Sequence, residues 1–357
     1  MKNFILKTKK SFIICFLLSS VCAFAQTTHT VNNNANTSAD FTDLQAAIDA
    51  AANGDIIYVQ QSATSYGEIT INKGLTIIGR SNGDASYKSE VGRIYLDAGA
   101  SNTTVKGLKI SDIQESANTS IITDVSFFDN DITSGIYLGS TDTFNNVLFQ
   151  GNIIRSSITI YTNTSNVLIT NNIILSSALY FYMTDTLLFS NNVFGYYAGV
   201  GIYNYASSLL NISNSIFTSN YYGNNITTTL SNQGGGTIQV DNCLTYDYYG
   251  SGSNNFSTGA GITINSNVQE NIDPLFTAVD VNSSNSIANV GTNNFDPIND
   301  DLTLQAGSPV IDDGLFEGYN FKNFGTPTGY PSIKVLANSA TVPKNGNLSV
   351  TIEAKTN

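Results

Sequence analysis

Val147-Leu148-Phe149-Gln150-Gly151-Asn152-Ile153 returns twenty residues later as Val167-Leu168-Ile169-Thr170-Asn171-Asn172-Ile173, and twenty after that as Leu187-Leu188-Phe189-Ser190-Asn191-Asn192-Val193. An earlier copy reads Ser126-Phe127-Phe128-Asp129-Asn130-Asp131-Ile132. Weaker copies begin at Leu210, Ile238 and Ile262. The turn position is expected at Asn130, Gly151, Asn171, Asn191, Asn214, Asn242 and Ser266, at spacings of 21, 20, 20, 23, 28 and 24. Each copy alternates apolar residues at period two, turns, and resumes with another apolar residue. A period of 20–24 holding three short strand patterns is the signature of a β-solenoid, whose coils cannot bury an apolar face alone and fold only by stacking. Asn and Gly at one fixed place fit a left-handed backbone turn. Stacked Asn side chains can also hydrogen-bond along the axis.

A second strand follows each turn. Ile136 and Leu138, Ile158 and Ile160, Leu179 and Phe181, and Val200 and Ile202 are its expected inward pairs. Upstream, Thr42-Asp43-Leu44-Gln45 reads as a capping box. Leu44, Ala47, Ile48 and Ala51 make one helical face, and Gly54 ends it. Strand patterns follow at 55–59, 67–71 and 75–79. The helix is expected to plug the open end of the solenoid.

Composition agrees. The 357 residues include 45 Asn but no Trp and only 6 Pro; charged residues are 12% of the chain, well under the usual quarter, while 41% is hydrophobic. Such a chain suits strands and turns rather than helices or disorder. Its 15 basic and 27 acidic residues give a formal net charge of −12, which argues against a nucleic-acid partner.

Residues 1–25 read as a secretory signal: Lys2, Lys7, Lys9 and Lys10, an apolar stretch from Ser11 to Val21 too short to span a bilayer, and Ala23-Phe24-Ala25 before Gln26. Lipidation at Cys22 is the alternative, disfavoured by the bulky Val21. Export then leaves Cys243 as the single cysteine, with no internal disulfide, inside a strand pattern that suits a buried inert thiol. The one histidine, His29, lies close to the start of the exported chain, which argues against a Ser-His-Asp triad or a His-based zinc site.

Residues 41–79 resemble the entry of right-handed parallel β-helix proteins of the pectin-lyase-like superfamily, and the coils at 101–268 resemble its repeat. Asp273-Pro274-Leu275-Phe276, followed by the run from Leu302 to Gly314, resembles the choice-of-anchor close of secreted bacterial β-helix proteins. The resemblance implies an all-β, single right-handed parallel β-helix. Its expected parts are a signal (1–25), an N-terminal cap with helix (26–54), coils (55–270), an irregular closing segment (271–329) and a C-terminal hairpin (330–357). The hairpin would join Ser332–Leu336 to Leu348–Ile352 through a turn at 343–347. The fold hosts many activities and names none.

Polysaccharide cleavage is the first chemistry to test. Glycoside hydrolysis needs two placed carboxylates, and β-helix polygalacturonases carry Gly-His-Gly and Arg-Ile-Lys motifs that this chain lacks; Asp300-Asp301 falls in the tail. Lyases of this fold need a Lys or Arg base beside an acidic sugar. Between Arg155 and Lys322 there is no Lys or Arg, so most of the solenoid offers an anionic polymer no cation. The lyase candidates are Lys106 and Asp129, expected in one outward column, with Lys109, Asp131 and Arg155 nearby; their bland reading is surface ion pairs.

Aromatic residues are the stronger clue. Tyr161, Tyr182 and Tyr203 recur every 21 residues and are expected in one outward column, with Tyr137 and Tyr180 in the next. They read either as a platform for neutral sugars or as rings stacked on one another. Thr159, alone between Tyr137 and Tyr180, rules against the flat Thr array of an ice-binding face. Phe127, Leu148, Leu168 and Leu188 form a second outward column, covered by the chain's own tail within 275–330 or by a partner. The acids Glu270, Asp273, Asp280, Asp296, Asp300, Asp301, Asp312, Asp313 and Glu317 could hold Ca²⁺ but match no EF-hand spacing. The expected function is a secreted or cell-surface, non-catalytic module that binds a polysaccharide, a cell-surface glycan or another surface. The alternatives are a lyase acting on an acidic polysaccharide and a purely structural surface protein. The sequence leaves the oligomeric state open.

Overall fold

The computed structural model describes residues 26–80, 88–195, 199–219, 226–248, 253–278, 301–310, 331–338 and 350–356. The signal-like segment, the acids Asp280, Asp296, Asp300, Asp312, Asp313 and Glu317, and the turn at 343–347 lie outside them. The chain winds into a parallel β-solenoid of about eight turns. One face is an eleven-stranded parallel sheet running from Thr28–Val31 to Ile262–Ile264. The other is a larger sheet in which the long strand Asp131–Leu138 pairs with two shorter ones, Ile153–Ile154 and Ile158–Ile160. From that coil onward each turn carries three strands, as the repeat predicts.

Register follows from burial. In the first sheet, Ile57, Ile77, Val105, Phe127, Phe149, Ile169, Phe189, Ile212 and Val240 stack in one inward column, all of them fully buried. Phe127 therefore points into the core and stacks on Phe149 at 5.1 Å, which corrects its place in the outward column. Ser126 pairs with Leu148, and the outward column is Ser126, Leu148, Leu168 and Leu188. The early copy is displaced by one residue because Asp129, not Asn130, occupies the turn. Asp129, Gly151, Asn171, Asn191, Asn214 and Asn242 all adopt positive φ between 47° and 70°. Ser266, the last expected turn residue, does not.

The residue after each turn points inward and builds a second column: Asn130, Asn152, Asn172 and Asn192, then Ser215 and Cys243, all buried. The Nδ2 of Asn130 donates to Oδ1 of Asn152 (3.0 Å), and so on to Asn172 and Asn192 (3.1 Å each). The same amides donate to the carbonyls of Val105, Phe127, Phe149 and Ile169. This ladder answers the polar demand of the tight turn without water. Cys243 continues it, its Sγ directed at the carbonyl of Ile212 at 3.6 Å, and burial pushes its thiol up to about 12. A shorter surface ladder links Asp124, Asn146 and Asn166, likewise at positive φ.

A short helix forms where expected, with two changes: it ends at Ala50, with Ala51 as its extended C-cap, rather than at Gly54, and its N-terminus is capped differently. Helix α1 (Leu44–Ala50) buries Leu44, Ala47 and Ile48, and Asp43 caps it by accepting from the Ala46 amide. No capping box closes: Gln45 instead spans the Thr70 backbone, accepting from its N–H (2.7 Å) and donating to its carbonyl (3.2 Å). Lys73 Nζ meets the carbonyls of Ile48, Asp49 and Ala51 and so satisfies the helix C-terminus. Pro331–Asn338 pairs antiparallel with Val350–Thr356 as a separate two-stranded sheet.

The closing segment covers a face other than the expected one. Ile153, Ile173, Val193, Ile216 and Leu244 stack on the outer side of the short second strands and are fully buried. They form a cluster with Leu175 and with Phe276, Leu302 and Val310 of the tail. Leu188 meanwhile stays 42% exposed.

Candidate functional site

The candidate residues divide between two regions. The early charged cluster holds two pairs, Lys106 with Asp129 and Arg93 with Asp112, and a network that joins Arg155, Asp131, Lys109, Glu90 and Lys88. Lys106 pairs in register with Phe128, not Asp129, yet its Nζ comes within 3.8 Å of Asp129 Oδ2. Burial pushes the Asp129 carboxyl up to about 6, with Lys106 opposing. Burial likewise lowers Lys106, with Asp129 opposing. On the other side of the turn, Arg155 forks onto Asp131, Nε to Oδ1 at 2.6 Å and Nη2 to Oδ2 at 3.1 Å. Lys109 joins Glu90 at 3.5 Å, and Arg93 joins Asp112 at 2.5 Å while lying over the ring of Tyr95. Asp129 and Asp131 flank the inward Asn130, so each carboxylate meets its own cation.

The tyrosine face lies on the third strands. Tyr180 pairs with Tyr203, and Ala178 with Gly201. Tyr203 therefore belongs with Tyr137 and Tyr180, and its assignment to the column of Tyr161 and Tyr182 is corrected. The coil there is 23 residues long rather than 21, so Ile202 sits over Leu179, Asn204 over Phe181, and Tyr205 takes the place over Tyr182. Two stacks result. Tyr161, Tyr182 and Tyr205 lie at 5.6 and 4.9 Å with interplanar angles of 13° and 9°. Tyr180 and Tyr203 lie at 5.3 Å and 17°. Inside a stack, ring faces are turned on each other and only edges meet solvent.

Register continues the second column in both directions: Tyr95, Gln114, Tyr137, Thr159, Tyr180, Tyr203 and Ser231. The rings lean back along their strands over small residues. A Cβ on Gly135 would meet the Tyr137 ring, and one on Gly201 the Tyr203 ring at 2.5 Å. Tyr137 hydroxyl lies 3.4 Å from Ser157 Oγ.

Two grooves border this face. One, of about 400 Å³, is lined by Gln114, Glu115, Ala117, Tyr137, Ser140 and Tyr161. The other, of about 280 Å³, is lined by Arg155, four serines (Ser156, Ser157, Ser176 and Ser177), Leu175, Ala178 and Tyr180. Glu115 is not free for chemistry: its carboxylate accepts from the amides of Gly139, Thr141 and Asp142 and from the Ser140 hydroxyl. Gln114, Ser157 and Tyr205, not singled out in the sequence, become visible once the register is known.

Among the described residues no group of three or more His, Cys, Asp or Glu side chains converges as a metal site, and no helix is long and apolar enough to cross a membrane. Of the acidic tail, Glu270 accepts from the Phe256 amide and Asp273 from that of Leu275. Comparison with protein-family models, with curated proteins and with solved structures finds no match for the chain.

Proposed function

We propose that the protein is a secreted or cell-surface, non-catalytic β-solenoid that holds a neutral glycan along its tyrosine face. The observation that carries this reading is the pair of grooves rich in hydroxyl groups and bordered by Tyr137, Tyr161 and Tyr180. Neutral sugars are held by such a mixture of aromatic surface and a few oriented polar groups. The signal-like residues 1–25 and the likeness of residues 41–79 to pectin-lyase-like β-helices support export and a right-handed coil. Against a lyase stand the early cations, each engaged by a carboxylate. For it stands the half-buried carboxyl of Asp129 beside Lys106. The stacked rings also suit a purely structural surface protein.

The test is retention of the purified protein on gels containing neutral or uronic-acid polysaccharides, with ultraviolet absorbance followed in parallel and Ca²⁺ present. Retention on a neutral glycan, lost in a triple Tyr137→Ala, Tyr161→Ala, Tyr180→Ala variant and kept in Leu188→Ser, is the expected result. Absorbance rising on a uronate polymer, and abolished by Lys106→Ala with Arg155→Ala, would replace the proposal with the lyase. Silence in both assays would leave the structural reading.

A further inference from the structure

A stack of rings hides its inner faces and leaves one face at each end. The longer tyrosine stack begins at Tyr161 and continues through Tyr182 to Tyr205. Leu138 pairs with Ile160, and the Tyr161 amide donates to the Leu138 carbonyl. The place next to the Tyr161 ring on the preceding coil therefore falls to Gly139, which has no side chain. Tyr182 covers one face of Tyr161, and no second ring meets it among the described residues. The groove of about 400 Å³ lies on the uncovered side, because its other lining residues, Gln114, Glu115, Ala117, Tyr137 and Ser140, all stand on the two preceding coils.

The rim of this groove is held rigidly. Ala117 and Thr119 adopt φ of 58° and 56°, which is costly for a β-branched residue. The fully buried Asp142 carboxylate fixes that turn, accepting from the amides of Ala117 and Asn118 at 3.1 Å each and of Ser120 at 2.7 Å. Glu115 reciprocates on the next coil by accepting from the amides of Gly139, Thr141 and Asp142 and from the Ser140 hydroxyl. The two coils that border the groove are thus locked to each other. Gln114 Nε2 donates to Asp112 at 2.9 Å, while its Oε1 and the Tyr161 hydroxyl have no hydrogen-bond partner among the described residues.

We infer that the end face of Tyr161 is the platform for one uncharged sugar residue, seated in this groove with Gln114 and Ser140 beside it. This rests on the glycan reading above and names its primary subsite. A pyranose laid on the ring takes the place of the next tyrosine in the stack and turns its axial C–H bonds to the electron-rich face. Its hydroxyls meet Gln114 Oε1 and the Ser140 side chain at the rim. Preformed ligand pockets run from about 300 to about 1,000 Å³. The groove at Tyr161 falls in that range, while the one at Tyr180, at about 280 Å³, falls short of it. Glu115 is the one charged side chain lining the groove, and its hydrogen-bond donors are all uncharged. A uronate would face that charge with no lining cation to offset it, so the groove selects neutral sugars.

Ser140→Trp fills the groove from an exposed position and leaves Tyr161 in place. Affinity electrophoresis with hydroxyethylcellulose, mannan, xylan, soluble starch and polygalacturonate as probes compares it with the parent protein, Tyr161→Ala and Tyr161→Phe, with thermal unfolding as the check on folding. The parent should be retarded by at least one neutral probe and not by polygalacturonate. Retention should be weaker by about tenfold or more in Tyr161→Ala and Ser140→Trp, and stay within about threefold in Tyr161→Phe, which keeps the ring face. Should both disruptive variants fail to fold, nitration of the parent by tetranitromethane, mapped by mass spectrometry, decides: the retarding glycan should protect Tyr161. Unchanged retention in folded Tyr161→Ala or Ser140→Trp, or equal nitration of Tyr161 with and without glycan, overturns the subsite and leaves the glycan reading standing. Retention of the parent on polygalacturonate alone, or on no probe, overturns both.

Discussion

At the residue scale, the turn of each coil divides its labour between two adjacent positions. The first needs positive φ, and Asp129, Gly151, Asn171 and Asn191 supply it. The second must satisfy backbone groups in a dry interior, and Asn130, Asn152, Asn172 and Asn192 supply that. The two positions should respond differently to substitution. Asn152→Ala strands the amide of Asn130 and the carbonyl of Phe127, so denaturant unfolding should show a loss of about 2–4 kcal/mol. Asn171→Gly keeps the left-handed turn and should stay within about 0.5 kcal/mol. Equal losses would mean the ladder is incidental. The double requirement also explains why the motif was legible but its first copy was misplaced: Asp129-Asn130 and Asn171-Asn172 read alike, and only Phe127 against Phe149 in the core separates them by one residue. Asp129 adds a pH signature. Its folded pKa lies above the ordinary carboxylate value, so its contribution is fully present below about pH 4 and is lost as pH rises through about 6. Asp129→Asn suits the same backbone turn and should remove that slope. Partial exposure and Lys106 reduce the difference between pH 4 and 7 to about 1–2 kcal/mol. Parallel pH profiles of unfolding for the two proteins would mean that folding leaves the Asp129 pKa unshifted.

At the element scale, local pattern is enough to find strands but not to count residues in the loops between them. Ile158, Ile160, Leu179 and Phe181 alternate cleanly and face inward as expected. The two extra residues before Gly201 slip that strand by one full period, which preserves its inside and outside and moves Tyr203 from one outward column to the other. A two-residue slip is invisible to alternation, because the side-chain period is two. The outer face of Ile153, Ile173 and Val193 was hidden for a different reason. Strands of two residues buried on both faces show no alternation at all. Their cover comes from the tail, through Phe276, Leu302 and Val310. Leu302→Asp should place an unpaired carboxylate in that cluster, cost upwards of about 3 kcal/mol locally, and raise binding of a hydrophobic dye while far-ultraviolet dichroism keeps its strand signal. Loss of the strand signal as well would make the closing segment part of the solenoid's own cooperative unit.

At the scale of the whole molecule, the solenoid is close to one-dimensional. Each coil touches mainly its neighbours, and its stability is spread along the stacking interfaces of one core that runs the length of the axis. The contents of the coils change along the axis. Early coils carry the ion pairs of Arg93, Lys106, Lys109 and Arg155. Later ones hold no base as far as Lys322, and replace the outer charges with apolar side chains and tyrosine stacks. The asparagine ladder spans the junction and gives way to Ser215 and Cys243 beyond it. Damage in the late coils should therefore spread along the axis only as far as interface energies allow. Phe217 stacks on Phe194 at 4.2 Å and meets Phe256 edge-on at 5.0 Å, so it links three successive coils. Phe217→Ala should cost about 3–5 kcal/mol at that point. Hydrogen exchange followed by mass spectrometry should then show protection falling in the strands from Val193 to Ile264, while those from Ile56 to Gln150 keep theirs. A uniform fall along the whole chain would mean that the coils fold as a single cooperative unit, with the asparagine ladder and the tail cluster binding the early and late coils into one.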